Sequence, residues 1–292
     1  MTQYRQRLKD KKIVMMLISL TVLVFGIAIN SAYSKDSNIN NQDLKILTKI
    51  ESDFGPVWIF EEAQQRCMSF SEPPPHIVQS CFLINDSKIL LHDYAKVFLS
   101  TLFFVEQPKK ILVIGLGGAS TQSAFNLLSP TTQIDTVEIN KELPAIVEKY
   151  FNYKENEINK IFIADGIEFV KTASADQYDI ILLDAFDVEY IPLGFLTDEF
   201  MQNIRKLLTK NGVVAINTFY NSKYAMLESE LFERNFGHYY NVVTKVSRIM
   251  IASKSELLTL SELKVNSILL KDRLTEVGIN QSQLLNLFNS PV

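Results

Sequence analysis

The chain has 292 residues, of which 47% are hydrophobic and 21% are charged, a balance typical of a globular protein and not of a disordered one. Its formal net charge is −4, but the first 34 residues hold five of the 29 Lys and Arg and only one of the 33 acids, so the remainder carries −8. A body this acidic repels nucleic acid and mildly attracts cationic small molecules, although charge kept for solubility gives the same balance.

Residues 1–34 have the pattern of a signal peptide or a membrane anchor. A basic stretch precedes an uncharged apolar run of 17 residues, IVMMLISLTVLVFGIAI (13–29), and small residues follow at Ala32 and Ser34. Cleavage there would leave Lys35 as the first mature residue, whereas an uncleaved run would anchor the chain in a membrane. A buried core helix is the structural alternative. In the first two cases we expect the rest of the chain to be periplasmic, secreted or membrane-anchored outside the cytoplasm.

Residues 35–53 are predicted to be a linker, and residues 54–105 a small β-domain with a connecting helix. Short extended runs separated by turn residues, such as SEPPPH and NDS, indicate an antiparallel sheet. The run YAKVFLSTLFFV (94–105) then has helical apolar spacing. Cys67 and Cys81 lie fourteen residues apart in this region. They can form a disulfide in an exported protein, whereas in the cytosol they would be reduced and packed.

Residues 106–254 alternate apolar strands with helical stretches, which predicts a doubly wound, Rossmann-like α/β domain with helices on both faces of its sheet. The strand runs are KILVIG, QIDTVEI, KIFIADG, YDIILLDAF and GVVAINTF. The stretch YYNVVTKVSRIMIASK (239–254) predicts two closing antiparallel strands, and the tail 255–292 is predicted to be helical. The three histidines lie far apart without ligand spacing, so no metal site is predicted.

The first two of these strands end in residues suited to a nucleoside. In a parallel sheet a ligand lies at the carboxyl ends of the strands, near the point where strand order reverses. Gly115, Gly117 and Gly118 follow the first strand, where glycines let the backbone approach a ligand. Glu138 ends the second strand, where a carboxylate can accept hydrogen bonds from both ribose hydroxyls.

The next two strands continue the pattern. Asp165 and Gly166 end the third strand, close to the expected adenine edge, and Asp184 and Asp187 end the fourth, facing the reacting group. Each feature has an ordinary structural alternative: a plain glycine turn, a helix-start acid at Glu138, or a helix N-cap at Asp165. Taken together and in order, these residues predict one adenosine-sized cleft.

The motifs resemble those of the polyamine aminopropyltransferases, above all spermidine synthase, within the class I S-adenosylmethionine-binding, methyltransferase-type fold. The resemblance covers roughly residues 54–254 and includes the small β-domain. ILVIGLGGAS resembles the family's glycine loop, VEIN its ribose-binding motif, ADG its adenine motif and YDIILLDAFDVEYIPLGFLTDEF its catalytic stretch. The resemblance implies transfer of an aminopropyl group from decarboxylated S-adenosylmethionine to a diamine such as putrescine, leaving methylthioadenosine.

The same resemblance implies roles for single residues. Asp184 would deprotonate or orient the attacking amine, and Asp187 would hold the cationic far end of the diamine. Tyr94 lies one gap away from the family's acceptor-lining tyrosine, and Asn217 stands where the family has a glutamine. The sequence departs from the family at Gly118, where an aspartate usually grips the donor's ammonium. It also lacks the proline after the second catalytic aspartate and the tyrosine-bearing acceptor loop.

Two other functions stay open from the sequence: methyl transfer from S-adenosylmethionine, and non-catalytic binding of a nucleoside or polyamine by an exported protein of the same fold. A dinucleotide oxidoreductase is disfavoured, because the acids that end the third and fourth strands are not part of that fingerprint. The expected partners are a small-molecule polyamine and, with an uncleaved leader, a membrane. We expect no nucleic acid partner and no metal, and a homodimer remains open.

Overall fold

The structure is a computed structural model that describes residues 44–75, 78–186 and 191–292. The predicted leader and the first part of the predicted linker lie outside these residues, and so does Asp187. Within the described part of the chain, no helix is both long enough and apolar enough to cross a membrane. Residues 44–292 form one compact unit.

The first described segment folds into a four-stranded antiparallel sheet in the order β1-β2-β3-β4. Its strands are β1 (Lys45–Ile50), β2 (Val57–Glu62), β3 (Gln65–Ser69) and β4 (Ser80–Leu83). β1 lies inside residues 35–53, which the sequence predicts to be a linker. This edge strand pairs with β2 and leaves its side chains at least partly exposed, and a register irregularity between Ile46 and Thr48 breaks its alternation of apolar and polar residues.

The predicted cysteine pair is bonded in this small sheet. Cys67 on β3 and Cys81 on β4 are direct cross-strand neighbours with Cα atoms 4.1 Å apart, and their sulfur atoms form a disulfide. Both residues are buried. The disulfide therefore ties the edge strand β4 to the rest of the small sheet.

A second sheet contains seven strands of the described chain, in the order β10-β11-β9-β8-β5-β6-β7. They are β5 (Lys110–Ile114), β6 (Gln133–Glu138), β7 (Asn159–Ile163), β8 (Tyr178–Leu183), β9 (Leu208–Phe219), β10 (Tyr240–Val243) and β11 (Ser247–Ser253). β5 to β9 run parallel, and β10 and β11 form the predicted antiparallel closing pair. The chain builds outward from β5 in one direction and from β8 in the other, so the switch point lies between β5 and β8.

Helices cover both faces of the large sheet, as the apolar strands predict. They are α1 (Asp93–Leu99), α2 (Ser120–Leu128), α3 (Leu143–Tyr150), α4 (Gly166–Thr172), α5 (Asp198–Leu207), α6 (Ala225–Phe236), α7 (Leu260–Leu269), α8 (Lys271–Thr275) and α9 (Gln281–Leu285), with 3-10 turns at Ser100–Phe103 and Leu193–Phe195. On β5, Ile111 and Val113 join the core on one face, whereas Leu112 and Ile114 join the core on the other. A strand buried on both faces must be apolar throughout, which explains the continuous run in its sequence.

The small sheet shares its core with the helices that follow β5 and β6. Met68 and Phe82 pack in one cluster with Leu116, Val147 and Phe151. The rings of Phe82 and Phe151 meet edge to face with centroids 5.5 Å apart. This shared core places the turns of the small sheet above the carboxyl ends of the parallel strands.

The C-terminal helices close the other side of the molecule. Leu263 and Leu274 are fully buried in the core that lies on the α1 and α2 face. The Arg273 guanidinium donates hydrogen bonds to the Leu128 carbonyl at the end of α2, one of them at 3.0 Å. The predicted helical tail is therefore an integral layer of the fold.

Candidate active site

A cleft of about 290 Å³ lies at the carboxyl ends of β5, β6, β7 and β8, beside the switch point of the sheet. The predicted residues that line it are Gly115, Gly117, Glu138, Asp165, Gly166 and Asp184. Larger hollows of about 640 and 520 Å³ lie elsewhere, around the first residues of β5 and β6 and beside the C-terminal helices, and none of these acids lines them. The structure thus brings six of the predicted residues to one place.

The glycine loop begins where β5 ends. Gly115 has φ +105°, and a Cβ atom there would lie 2.2 Å from the carbonyl oxygen of Asp184, so the position requires glycine. Its amide donates to the Val137 carbonyl at 2.8 Å, which holds the loop against β6. Gly117 has φ +51° and open space where a side chain would project, so the backbone itself faces the cleft.

Gly118 lies differently from the other two glycines. A Cβ atom there would lie 2.6 Å from the Cβ atom of Ser80 on β4, and it would also touch the Phe151 ring. Ser80 Oγ shares a 2.8 Å hydrogen bond with Ser120 Oγ, at the first residue of α2. Gly118 is not among the residues that line the cleft. The glycine lets β4 approach α2, and its role in donor binding stays a prediction.

Glu138 is buried at the end of β6, with 7% of its surface exposed. Its Oε1 accepts from the Asn140 amide at 2.7 Å and its Oε2 from the Leu116 amide at 2.9 Å. Burial raises the pKa of Glu138, and these backbone hydrogen bonds oppose the rise. Each carboxylate oxygen has a second lone pair, so both can still accept a ribose hydroxyl.

Asp165 and Gly166 form the junction between β7 and α4. Asp165 Oδ1 accepts from the Ile167 amide at 2.7 Å and caps the helix, while the residue also lines the cleft. Asp165 is therefore a helix N-cap and also lines the cleft, as predicted for a site residue. A Cβ atom on Gly166 would lie 2.6 Å from Ile114, so glycine allows α4 to start close to β5.

Asp184 follows β8 directly and is half-buried. Its Oδ1 accepts a hydrogen bond of 3.0 Å from Asn217 Nδ2 on β9, and the Tyr94 hydroxyl on α1 lies close enough to interact with the carboxylate. Burial raises the pKa of Asp184 to about 6, although both neighbours act in the opposite direction. Such a carboxyl group is mostly ionised at neutral pH and is still basic enough to accept a proton from a substrate.

The two partners of Asp184 have distinct properties. Burial and the neighbouring Asp184 charge raise the pKa of Tyr94 well above its usual value, so its hydroxyl stays protonated and can donate. Asn217 is buried, and its Oδ1 has no hydrogen-bond partner among the described residues. An unpaired buried acceptor is costly. An N–H group of a ligand beside Asp184 would satisfy it.

The small sheet contributes cleft residues that the sequence did not predict. Phe54, Phe70 and Gln79 reach the cleft from the turn between β1 and β2, the end of β3 and the start of β4. Pro192 and Phe195 complete the apolar wall from the 3-10 turn that precedes α5. These five residues lie in turns without strand-end acids or glycine runs, so the pattern used for the large sheet does not detect them.

The cleft combines apolar walls with the carboxylates Glu138, Asp165 and Asp184. Asp187, the remaining predicted site residue, lies outside the described residues. Nowhere in the described ranges do three or more His, Cys, Asp or Glu side chains gather as ligands for a metal ion. The described geometry suits a cationic ligand of adenosine size that reacts beside a protein base.

Comparison with known proteins points to the same chemistry. Residues 96–264 match the family model described as the spermine/spermidine synthase domain. The chain is 35% identical over 199 residues to the polyamine aminopropyltransferase of Vibrio vulnificus, and the match covers 67% of each protein. It is 30% identical over 173 residues to that of Neisseria meningitidis, covering 59% of this chain and 64% of the relative. The chain thus spans about two thirds of the length of these curated relatives.

The fold is similar to that of a solved structure described as a probable spermidine synthase from Corynebacterium glutamicum. The TM-score is 0.66, with 17% sequence identity, and the match covers 82% of this chain and 92% of the other. At this identity the similarity concerns the fold alone.

Proposed function

This chain belongs to the spermine/spermidine synthase family, and we propose that it transfers an aminopropyl group from decarboxylated S-adenosylmethionine to a diamine such as putrescine. The products would be methylthioadenosine and a longer polyamine. The observation that carries this proposal is the position of Asp184, which bonds to Asn217 and lies beside Tyr94 in the cleft that Glu138 also lines.

The donor fits the strand ends of the cleft. Its ribose hydroxyls would meet Glu138, and its adenine would lie between the apolar walls near Asp165 and Gly166. The sulfonium would point toward Asp184, which lines the same cleft. A cationic donor is favoured in a cleft that holds three carboxylates.

The acceptor fits the Asp184 end. A protonated amine would donate one N–H to Asp184 and another to the unpaired Oδ1 of Asn217. Asp184 accepts a proton, and the freed nitrogen lone pair attacks the aminopropyl carbon next to sulfur. The new C–N bond forms as the C–S bond breaks, and the electron pair leaves on sulfur as neutral methylthioadenosine. Asp187 is predicted to hold the second ammonium of the diamine.

Positioning and charge supply most of the rate enhancement in this scheme. The sulfonium is already an activated leaving group, so the protein needs to align nitrogen, carbon and sulfur and to deprotonate the amine. The net charge of −8 outside the first 34 residues favours a polycationic acceptor over nucleic acid.

We also propose that the first 34 residues direct the rest of the chain out of the cytoplasm. The Cys67–Cys81 disulfide supports this location, because disulfides persist in oxidising compartments. Intact-mass measurement of the protein from its native host tests the proposal. A mature chain that starts at Lys35 indicates cleavage, an unprocessed chain in the membrane fraction indicates an anchor, and an unprocessed chain in the soluble cytoplasmic fraction contradicts both.

Turnover by the purified full chain tests the main proposal. We expect decarboxylated S-adenosylmethionine and putrescine to give methylthioadenosine and spermidine in equal amounts, measured by chromatography with mass detection. S-adenosylmethionine with the same amine is the control for methyl transfer. Binding of methylthioadenosine without product from either donor would instead indicate a non-catalytic binding protein, and no binding of any adenosine compound would exclude each of these activities.

A further inference from the structure

On the outer edge of β4, a backbone amide donates a hydrogen bond to a histidine side chain. Cys67 and Cys81 have Cα atoms 4.1 Å apart, close to the spacing of about 4.5 Å for a non-hydrogen-bonded antiparallel pair. The Cys81 amide therefore points away from β3. It donates a hydrogen bond of 3.0 Å to Nε2 of His92. The imidazole supplies the acceptor that the sheet does not provide on this side.

The same histidine stands at the start of the helix that carries Tyr94. His92 is the N-cap residue of α1, with extended backbone angles of φ −79° and ψ 129°. Its ring lies beside the Tyr94 ring, with centroids 5.7 Å apart. The Tyr94 hydroxyl in turn interacts with Asp184. A continuous path of contacts therefore leads from β4 through His92 and Tyr94 to the proposed base.

We propose that His92 is a positioning residue: by accepting the Cys81 amide it fixes the start of α1 and aims the Tyr94 hydroxyl at Asp184. The kinetic part of this inference rests on the proposed function, whereas its structural part does not. His92 acts through Tyr94 and is not among the residues that line the cleft.

The contact requires one protonation state of the imidazole. Nε2 accepts only when it carries no proton, so the neutral ring holds its proton on Nδ1. Burial lowers the pKa of His92, Lys96 adds to the fall, and Asp93 opposes it. Lys96 and Asp93 pair with each other at 3.1 Å on α1, while β4 meets the ring through Cys81, a disulfide residue that does not titrate. Acid converts Nε2 into a donor and breaks the contact.

Two variants test the hydrogen-bond acceptor of His92 separately from the size of its ring. In His92→Gln an amide oxygen can reach the Cys81 amide but does not titrate, and in His92→Phe a ring of similar size has no acceptor. His238→Gln is the matched control, because His238 is exposed and its ring contacts the Val292 carbonyl. The full chain would carry ¹⁵N-labelled amides and ¹³C-labelled tyrosine, so that Cys81 and Tyr94 can be followed by NMR. The kcat and KM values would be measured from about pH 5 to pH 9.

We expect His92→Phe to shift the Tyr94 resonances and to lower kcat about tenfold or more, with a smaller change in the donor KM. His92→Gln should keep kcat within about twofold. In the wild type, both Asp184 and His92 become protonated in acid, so kcat/KM should fall further with decreasing pH than in His92→Gln, where only Asp184 of this pair titrates. The extra fall should not exceed the loss seen in His92→Phe.

The structural readout keeps this inference separate from the proposed function. Tyr94 resonances that are unchanged in His92→Phe would overturn the positioning role, with or without turnover. Shifted Tyr94 resonances together with a wild type that never turns over would overturn the proposed function and support the positioning role. If His92→Phe does not fold, the wild-type titration decides: a Cys81 amide resonance that does not move as His92 titrates would overturn the inference.

Discussion

The two sheets form the same cleft by different means. The large sheet buries β5 and β8 on both faces and presents Gly115 and Asp184 from their ends. The small sheet leaves β1 largely exposed, depends on a disulfide across β3 and β4, and reaches the cleft through turns. The reacting groups therefore lie at the strand ends of the large sheet, which has the larger core. The turns that enclose the cleft belong to the small sheet, which has the smaller core. We expect damage to the large-sheet ends to abolish the reaction, and damage to the small sheet to weaken binding first.

The largest effect is expected from Asp184→Asn. The amide can still accept from Asn217 but cannot take a proton from the amine, so kcat should fall about a thousandfold. The control is Asp179→Asn, at the opposite end of the same strand, where the carboxylate accepts from the Lys109 amide. Steady-state kinetics of both variants measure the difference. Equal losses in the two would show that the position of the charge is unimportant.

Asp184→Asn should also change the pH dependence of stability. Burial raises the pKa of Asp184 to about 6, so its ionised form destabilises the native state as the pH rises from about 4 to above 6. The variant does not titrate. It should be more stable than the wild type by about 3 kcal/mol at pH 8 and equally stable near pH 3. Urea unfolding at both values measures this, and a stability difference that is the same at both would contradict the assignment. In the wild type, the acid limb of kcat/KM should include the titration of the same group.

Gly115→Ala tests the close contact between the two central strands. A methyl group would collide with the Asp184 carbonyl at a positive φ, so we expect a loss of about 3 to 5 kcal/mol in the free energy of unfolding. Gly55→Ala is the matched change beside the small sheet, with φ +94° but open space around the added carbon, and should cost about 1 to 2 kcal/mol. Denaturant unfolding compares them. Similar losses for both would mean that the collision is relieved.

Removal of the disulfide tests the small sheet. Cys67→Ser together with Cys81→Ser should lower stability by about 3 kcal/mol, because the unfolded chain loses a constraint. We expect faster amide hydrogen exchange in β3 and β4 than in β5 and β8, and weaker binding of methylthioadenosine. A dithiol reductant should have the same effect on the wild type and none on the double variant. Faster exchange spread evenly over both sheets would contradict the division between them.

The smallest effect is expected from Glu138→Gln. One amide nitrogen would replace an oxygen that faces the Leu116 or Asn140 amide, so a donor would meet a donor and a ribose acceptor would be lost. The Kd of methylthioadenosine should rise about tenfold, or about 1.4 kcal/mol. Calorimetric titration measures it. Asp135→Asn, on the same strand but remote from the cleft lining, should leave the Kd unchanged.

The large sheet was predictable because each central strand has a recognisable local sequence pattern. The runs before Gly115 and Asp184 are apolar on both faces, and such runs indicate central parallel strands whose ends meet. The sequence did not show that Gly118 packs against β4, because a glycine that faces a ligand and one that faces another strand look alike in sequence. Its orientation depends on Ser80, which is distant along the chain.

The small sheet was predicted as antiparallel, but its details were not. β1 was missed because its apolar residues do not alternate across the register irregularity between Ile46 and Thr48. The position of Gln79 in the cleft could not be predicted, because it comes from packing between the sheets and not from a strand-end motif. The tail was predicted to be helical from its periodicity, but its docking depends on Arg273 reaching the carbonyl at the end of α2.

The cluster that joins Met68 and Phe82 to Leu116 and Val147 limits how this protein can be dissected. A fragment that begins near residue 106 would leave Leu116 and Val147 facing water and would lose the strand that packs against Gly118. We therefore expect it to aggregate when expressed alone. Transfer of this active site to another protein scaffold would therefore have to include the small sheet.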